Sequence, residues 1–269
     1  MKKSIYIIIL TLSTFFLTFK SCGLLSAAGL SNKGLPIKEV NGKLTSTTVN
    51  SSVNLNHDAW TVLLKKYVDN QGNVDYKGFK KDHVKLTEYL NYLSKNKPTT
   101  NWSVQELLAY YINVYNAFTV ALIVENYPVS SIKDIRGPWK KKFIPIGDET
   151  LSLGDVEHKI LRKMKEPRIH FAINCASHSC PKLLNEAYEA SKIDQQLDVA
   201  AKKFINSSEN KLSEKQLYLS KIFDWFGKDF ISDATPTIAS FINAYTKIPI
   251  QANAKVSYFD YDWSLNEKK

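Results

Sequence analysis

Hydrophobic positions recur at helical spacing along most of this chain. The strongest such segment covers residues 103–126, which open with a Ser-x-x-Glu capping box and are followed by Pro128. Its middle is apolar on nearly every side, as is typical of a helix buried inside a domain. Asn113 and Asn116 fall within this apolar stretch, so each amide must either bond neighbouring backbone or line a pocket.

Shorter periodic and alternating segments complete the pattern. Helical spacing predicts helices over residues 55–67, 79–93, 153–164, 194–205, 222–230 and 236–245. A β-hairpin is predicted over 142–153, and alternation predicts strands over 168–174, 216–219 and 256–262. Together these elements predict an α+β fold: a helix-rich single domain around a small antiparallel sheet, with a long buried central helix.

The first 28 residues have the pattern of a secretory signal peptide. Two lysines precede an apolar run that is too short for a comfortable membrane span. One interpretation is a lipoprotein signal with a loose lipobox, in which Cys22 is lipidated; the others are ordinary cleavage after Ala28 and an uncleaved anchor. Residues 29–54 are polar and predict a flexible linker, and residues 55–269 predict one domain.

The charge of the chain says little about its partners. The formal net charge is +10, but the lysines are scattered and the longest run is Lys140–Lys142. We expect an exported protein, periplasmic or associated with the outer membrane through a lipid on Cys22. Such a protein could be attracted to an anionic envelope surface, whereas nucleic acid is not an expected partner because no recognition motif is present. No glycine-rich phosphate loop occurs, and no cofactor is expected.

Thiol and imidazole groups concentrate in residues 168–183, RIHFAINCASHSCPKL. His170 and Asn174 lie on one face of the predicted strand, and Cys175 follows it. Four residues separate Cys175 from Cys180, and the serines and proline nearby favour a turn that would bring the two α-carbons within bridging distance. In an oxidising compartment this pair is expected to form a disulfide.

Several motifs occur in the order that they have in one family. They are WTVLLKKYV at 60–68, YINVYNAFT at 111–119, ETLSLGDVEHKILR at 149–162, RIHFAINCASHSCPKL at 168–183, KIFDWFGKDF at 221–230 and DWSLN at 262–266. On these motifs the chain resembles the DUF547 family, a bacterial and plant domain of unknown function. The resemblance spans nearly the whole predicted domain and leaves its reaction open. It points to these motif positions: Asn113, Asn116, Glu157, His158, Arg162, His170, Cys175, Ser177, Cys180 and Glu186.

Two functional interpretations follow. The first is a non-catalytic module that binds a small molecule, a peptide or an envelope partner in a polar pocket of His, Cys and Asn side chains. A Cys175–Cys180 disulfide would then stabilise the loop by about 2 kcal/mol. The second is a thiol-dependent hydrolase or acyl-transferase, similar in outline to papain-like and transglutaminase-like enzymes, with Cys175 as the nucleophile.

The catalytic interpretation requires a base and a group that orients it. His170 or His158 would accept the proton, and Asn174 or Asn113 would orient the imidazole or stabilise an oxyanion. Two observations oppose this interpretation: His170 and Cys175 face opposite sides of a regular strand, and a disulfide would block the nucleophile. A zinc site is a further alternative, with ligands from Cys175, Cys180, His170 and His178.

Overall fold

The computed structural model describes residues 29–45, 53 and 55–269. The predicted signal peptide and the lipidation site at Cys22 lie outside these residues. Within them the α+β prediction is confirmed, with a long buried helix and two small sheets. The helices are α1 (Asp58–Tyr67), α2 (Tyr76–Lys81), α3 (His83–Lys95), α4 (Val104–Asn126), α5 (Leu153–Asp155), α6 (Ile193–Ile205), α7 (Lys221–Trp225) and α8 (Ile238–Asn243).

Tighter and wider helical turns extend several of these helices. A π-helical turn, Val156–Ile160, continues α5 and is followed by a 3-10 turn, Leu161–Met164. Three more 3-10 turns are Ile132–Asp134, Pro167–Phe171 and Gly227–Phe230. The helix predicted over 153–164 therefore forms, but its backbone changes type twice.

The strands form two sheets. The predicted hairpin pairs β1 (Ile144–Ile146) with β2 (Glu149–Leu151). The second sheet has the order β3-β4-β5, formed by β3 (Lys211–Leu212), β4 (Gln216–Leu219) and β5 (Lys255–Tyr258). Its β3–β4 pair is antiparallel, but β4 and β5 are parallel, because α7 and α8 lie between them and return the chain in the same direction.

Helix α4 forms the centre of the domain. The backbone N–H of Ser103 donates to Glu106 Oε2 at 2.7 Å, and the Ser103 side chain accepts in return from the Glu106 backbone, which completes the predicted capping box. Among the helices that the structure describes, α4 is the one that is long and apolar enough to span a membrane. Because the whole of that apolar window is buried within the protein, we assign α4 as a core helix.

The two asparagines of α4 bond backbone, which is one of the two alternatives that the sequence left open, and neither lines the Cys175 cavity. Asn113 donates to the Tyr188 carbonyl at 2.8 Å and accepts from the Tyr188 N–H at 3.0 Å. Asn116 donates to the Ala172 carbonyl at 2.9 Å and accepts from the Asn174 N–H at 2.8 Å. Both amides therefore attach otherwise irregular chain segments to the central helix.

The strand predicted over 168–174 is also wrong, because residues Pro167–Phe171 form a 3-10 turn. Pro167 occupies the first turn, and the Glu166 side chain accepts from the Arg168 N–H at 3.1 Å. The Arg168 guanidinium also binds Glu166, at 2.7 Å. This local ion pair fixes the turn, so the apolar alternation of the segment does not correspond to a strand.

Part of the predicted flexible linker packs against the domain instead. Leu35 and Leu44 are buried. The Tyr111 hydroxyl donates to the Pro36 carbonyl at 2.8 Å, and the Val40 N–H donates to the Met164 carbonyl at 2.8 Å. Residues 30–44 therefore contribute to the core, since their few apolar side chains find partners there.

Two hydrophobic clusters build the core. The larger surrounds α4, and the smaller contains aromatic rings such as Phe171, Phe223 and Phe230. The ring centroids of Phe223 and Phe230 are 5.0 Å apart, a favourable separation for aromatic packing. Residues from both clusters line one small cavity, so the cavity lies where they meet.

The first prediction concerns Asn116→Ala. This substitution removes the partner of two buried backbone groups and should lower the free energy of unfolding by about 2–3 kcal/mol. Asn126→Ala is the matched control on the same helix, because Asn126 is exposed and bonds only the preceding turn; it should change the value by less than about 0.5 kcal/mol. Urea unfolding measures both, and equal effects would contradict the role of Asn116.

Candidate active site around Cys175

A cavity of about 190 Å³ opens above Cys175. Its walls are mostly aromatic and its polar groups come from few side chains. The residues that line it are Tyr115, Trp139, Glu157, His158, His170, Ile173, Cys175, Cys180, Pro181, Ile222, Trp225, Phe226, Tyr261 and Trp263. A reactive thiol, a carboxyl group and two imidazoles therefore share one small, largely apolar space.

The backbone around Cys175 is tightly constrained. Asn174 accepts from the Ala176 N–H at 2.9 Å and donates to the Pro181 carbonyl at 2.7 Å, which closes the loop on itself. Ala176 has a φ of 61°, in the left-handed region that costs a non-glycine residue about 1–2 kcal/mol. Such strain often marks a functional position. Asn174 therefore shapes the loop and does not line the Cys175 cavity.

The C-terminal segment clamps the same loop from the other side. Asn266 donates its backbone N–H to the Ala176 carbonyl at 3.1 Å and its side-chain amide to Asn174 Oδ1 at 3.3 Å. Ser264 accepts from the His178 N–H at 2.8 Å. Residues 262–266 were identified only as a family motif, and their structural role is to hold the Cys175 loop.

Cys175 and Cys180 are free thiols, so the predicted disulfide is not formed in the structure. Instead the Cys175 N–H donates to Cys180 Sγ at 3.0 Å. Cys175 Sγ lies 2.9 Å from Ser177 Oγ and 3.4 Å from the Tyr261 hydroxyl. A hydrogen bond from the Cys180 thiol, supported by these two hydroxyls, outweighs burial and lowers the pKa of Cys175 to about 6. Burial raises the pKa of Cys180, which keeps that thiol protonated.

Glu157 is the carboxyl group of the cavity. It lies in the π-helical turn, a feature that often occurs at functional sites. The Tyr115 hydroxyl lies 3.2 Å from Glu157 Oε2. Burial, together with the negative charge of Cys175, raises the pKa of Glu157 to about 7. At neutral pH this carboxyl group therefore exists in both protonation states, beside a thiol that is mostly ionised.

His170 is held by Asp229, not by Asn174 or Asn113 as predicted. Its Nε2 lies 2.8 Å from Asp229 Oδ2, and its ring stacks on Phe226 with centroids 4.2 Å apart. Although burial opposes it, bonds from Arg162 and His170 hold the pKa of Asp229 well below its usual range, so its carboxylate accepts and His170 Nε2 carries the proton. Burial lowers the pKa of His170, which makes the ring neutral at pH 7.

Arg162 and His158 lie at the edge of this group. Arg162 binds Asp229 through two bonds, of 2.6 Å and 2.9 Å. Its Nη1 lies 3.4 Å from His158 Nδ1. Because a guanidinium only donates, Nδ1 accepts and the proton of the neutral imidazole is on Nε2. Burial and the charge of Arg162 lower the pKa of His158. His158 Nδ1 is therefore occupied and poorly suited to act as a base.

The structure thus brings most of the predicted residues together and places the three predicted asparagines and Glu186 outside the Cys175 cavity. Cys175, Cys180, Ser177, Glu157, His158, Arg162 and His170 form one group. Asn113 and Asn116 anchor loops, and Glu186 accepts from Gln196 Nε2 at 3.1 Å outside the Cys175 cavity. His178 lines a different cavity, and the described residues contain no group of three or more His, Cys, Asp or Glu side chains arranged to hold a metal ion.

Sequence reasoning missed three polar residues of the site. Tyr115 lies in the central helix, Asp229 in the KIFDWFGKDF motif and Tyr261 one residue before the DWSLN motif. The KIFDWFGKDF and DWSLN motifs could have drawn attention to Asp229 and Tyr261. However, nothing in their spacing relates them to Cys175, because each comes from a distant part of the chain.

Comparison with known families places these observations in context. Residues 99–205 match the model of DUF547, described as a protein of unknown function. The chain contains a DUF547 domain. The matched range includes α4 and the Cys175 loop, whereas the aromatic residues of α7 and the C-terminal segment that complete the cavity lie beyond it. No curated protein and no solved structure matches the chain.

The second prediction concerns the reactivity of Cys175. Its alkylation by iodoacetamide should reach half of its maximal rate near pH 6, because the thiolate is the reacting species. Tyr261→Phe and Ser177→Ala should move this midpoint upward, since each removes a hydroxyl beside the sulfur. Tyr218→Phe is the control, because Tyr218 is an exposed tyrosine outside the cavity. Peptide mass spectrometry distinguishes Cys175 from Cys180, and a midpoint near that of an ordinary thiol would contradict the assignment.

The third prediction concerns Glu157→Gln. Folding raises the pKa of Glu157 from 4.5 to about 7, so the folded state holds a proton that the unfolded state releases. This contribution is complete below pH 4.5 and is lost as the pH rises through 7. Relative to the variant, the wild-type protein should therefore lose about 3 kcal/mol of unfolding free energy over this range. Urea titrations of both proteins across this pH range measure the difference. Glu88→Gln is the control, because Glu88 is exposed. The same pH dependence of stability in Glu157→Gln and in the wild-type protein would refute the assignment.

Proposed function

We propose that the DUF547 domain is a thiol-dependent acyl-transferase or hydrolase with Cys175 as its nucleophile. One observation carries the proposal: Cys175 Sγ lies 2.9 Å from Ser177 Oγ and 3.4 Å from the Tyr261 hydroxyl, at the base of an aromatic cavity that also contains Glu157. Because the thiol is already ionised, the nucleophile needs no general base. The reaction then needs only an acid that protonates the leaving group and a base that deprotonates the acceptor.

The first half-reaction forms a thioester. The Cys175 thiolate attacks the carbonyl carbon of an ester, thioester or amide, and the carbon–sulfur bond forms. The protonated carboxyl group of Glu157 donates its proton to the leaving alcohol, thiol or amine as the bond to the carbonyl carbon breaks. The products are an acyl-Cys175 thioester, a neutral leaving group and the Glu157 carboxylate.

The second half-reaction regenerates the site. The Glu157 carboxylate accepts a proton from water or from an acceptor nucleophile, which attacks the thioester carbonyl. The carbon–sulfur bond breaks, the acyl group leaves as an acid or as a transferred acyl product, and Cys175 returns to the thiolate. Glu157 suits both steps because a pKa near the working pH allows one group to act as acid and then as base.

His170 has a supporting role in this proposal. Its pKa lies below the ordinary value, so it carries too little proton at pH 7 to serve as the acid. Its pairing with Asp229 and its stacking on Phe226 instead hold one aromatic wall of the cavity in place. This differs from the expectation that His170 or His158 accepts the proton of Cys175.

A non-catalytic binding module is the second candidate. It is favoured by one observation: within the described residues, neither imidazole forms a hydrogen bond with Cys175 Sγ. In that case the same cavity would bind a small molecule or the side chain of a peptide without reaction.

In both cases we propose an exported protein that is anchored by a lipid on Cys22 and has no nucleic-acid partner. This proposal rests on the sequence pattern of residues 1–28 and on the absence of a recognition motif.

The fourth prediction tests the thioester. Incubation with p-nitrophenyl hexanoate should add one hexanoyl group to Cys175, visible as an intact-mass increase, and the adduct should decay with turnover. Glu157→Gln should still be acylated but should lose the adduct at least about tenfold more slowly, because it has no carboxylate to activate water.

Two variants control this experiment. Cys175→Ser should give no adduct at position 175, and Cys180→Ala should still form the adduct, with the pH midpoint moved upward because it lacks the hydrogen bond to Cys175. Turnover by Glu157→Gln at the wild-type rate would remove Glu157 from the mechanism. Tight ligand binding without any acylation would favour the binding module.

A further inference from the structure

The geometry points to the substrate class: the Cys175 cavity selects uncharged, apolar acyl groups of about six to eight carbon atoms, and Trp225 sets the upper limit of length. That the bound group is an acyl group rests on the proposed function. The selection for an apolar group of this size rests on the cavity alone, so the two can fail separately.

The volume of the cavity sets the size of its occupant. A protein cavity of about 150 Å³ with apolar walls holds one benzene molecule. The Cys175 cavity, of about 190 Å³, therefore accommodates a group of similar or slightly greater size. Acetyl would leave much of this space unfilled, and a dodecanoyl chain would not fit within it.

The walls offer almost no polar contact to that group. The apolar and aromatic side chains that line it include Trp139, Ile173, Trp225, Phe226, Tyr261 and Trp263. The rings of Trp225, Tyr261 and Trp263 pack on one another, with centroid separations of 4.6 to 5.7 Å. Because these rings support each other, the wall keeps its shape when the cavity is empty.

The charges around the cavity oppose an anionic acyl group. Cys175 and Glu157 both acquire negative charge there. Arg162 is bound through two bonds to Asp229 and lies over the Phe226 ring, 5.2 Å from its centroid. Lys133 lies over the Trp263 ring, 5.1 Å from its centroid, and does not line the cavity. A carboxylate on the acyl group would therefore meet two acidic side chains and no unpaired cation among the described residues that line the cavity.

Trp225 lines the cavity and is exposed to solvent. It is 45% exposed, whereas Ile222 one turn earlier in α7 is buried. Its ring contacts Tyr261 and Trp263 and does not belong to either buried core cluster. Its removal should therefore lengthen the cavity toward solvent without unfolding the domain.

The experiment measures kcat/KM for a series of p-nitrophenyl esters from acetyl to dodecanoyl, with benzoyl and hemisuccinyl esters added. We expect a rise of about threefold per methylene up to hexanoyl or octanoyl and a fall beyond octanoyl. Benzoyl should react about as fast as hexanoyl, and hemisuccinyl at least tenfold more slowly than its uncharged counterpart, butanoyl. Equal rates for hemisuccinyl and butanoyl, or no dependence on length, would overturn the inference.

Trp225→Ala should move the optimum to decanoyl or dodecanoyl, measured relative to the rate of the same variant with acetyl. Phe259→Ala is the matched control, because Phe259 is an exposed aromatic residue outside the cavity. An unchanged optimum in Trp225→Ala, with an unchanged melting temperature, would exclude Trp225 as the residue that limits length.

A binding measurement separates this inference from the proposed function. Unreactive alkyl amides from acetamide to dodecanamide are titrated into Cys175→Ala, with tryptophan fluorescence as the readout. Length-dependent binding with an optimum at hexanamide or octanamide, but no acylation of the wild-type protein by any ester, would support the selection and refute the enzyme. Acylation without length dependence in either experiment would support the enzyme and refute the selection.

Discussion

The conformation of the Cys175 loop depends on hydrogen bonds from asparagine side chains. Asn116, on the buried helix α4, bonds the loop at Ala172 and Asn174, and the Asn266 side chain bonds the Asn174 side chain from the C-terminal segment. An irregular buried loop leaves many backbone groups without regular partners, and these amides satisfy them. Asn174 Oδ1 and the Asn266 backbone N–H bond the two backbone groups of Ala176, the residue with left-handed backbone next to Cys175.

Once the loop is fixed, burial controls the charges within the cavity. Two negative charges so close together are unfavourable, so ionisation of Cys175 disfavours ionisation of Glu157. Cys175 ionises first because hydrogen bonds from Cys180, Ser177 and Tyr261 stabilise its thiolate. The carboxyl group keeps its proton to a higher pH as a consequence. A thiolate beside a proton donor, enclosed by aromatic rings, is the arrangement on which both the proposed reaction and the proposed selectivity depend.

Parts of this structure could be predicted because their signals are local. The capping box and the continuous apolar run determine α4, and the Gly-Asp-Glu turn determines the β-hairpin. The prediction failed at 168–174, where alternation resembles a strand but Arg168 and Glu166 form a local ion pair around a 3-10 turn. It also failed for the disulfide, since the spacing of two cysteines allows a bridge but does not require one.

The sequence by itself determined the fold class, the central helix and the region in which thiol and imidazole groups concentrate, because these features depend on residues that are close together in the chain. Only the tertiary structure decided which groups surround Cys175 and His170. Tyr261, which contacts Cys175 Sγ, and Asp229, which binds His170, lie more than fifty residues from Cys175 in the chain. They come close to it because the C-terminal segment and the turn after α7 pack against this part of the domain. Partners brought together by packing over such separations leave no periodic or spaced pattern in the sequence.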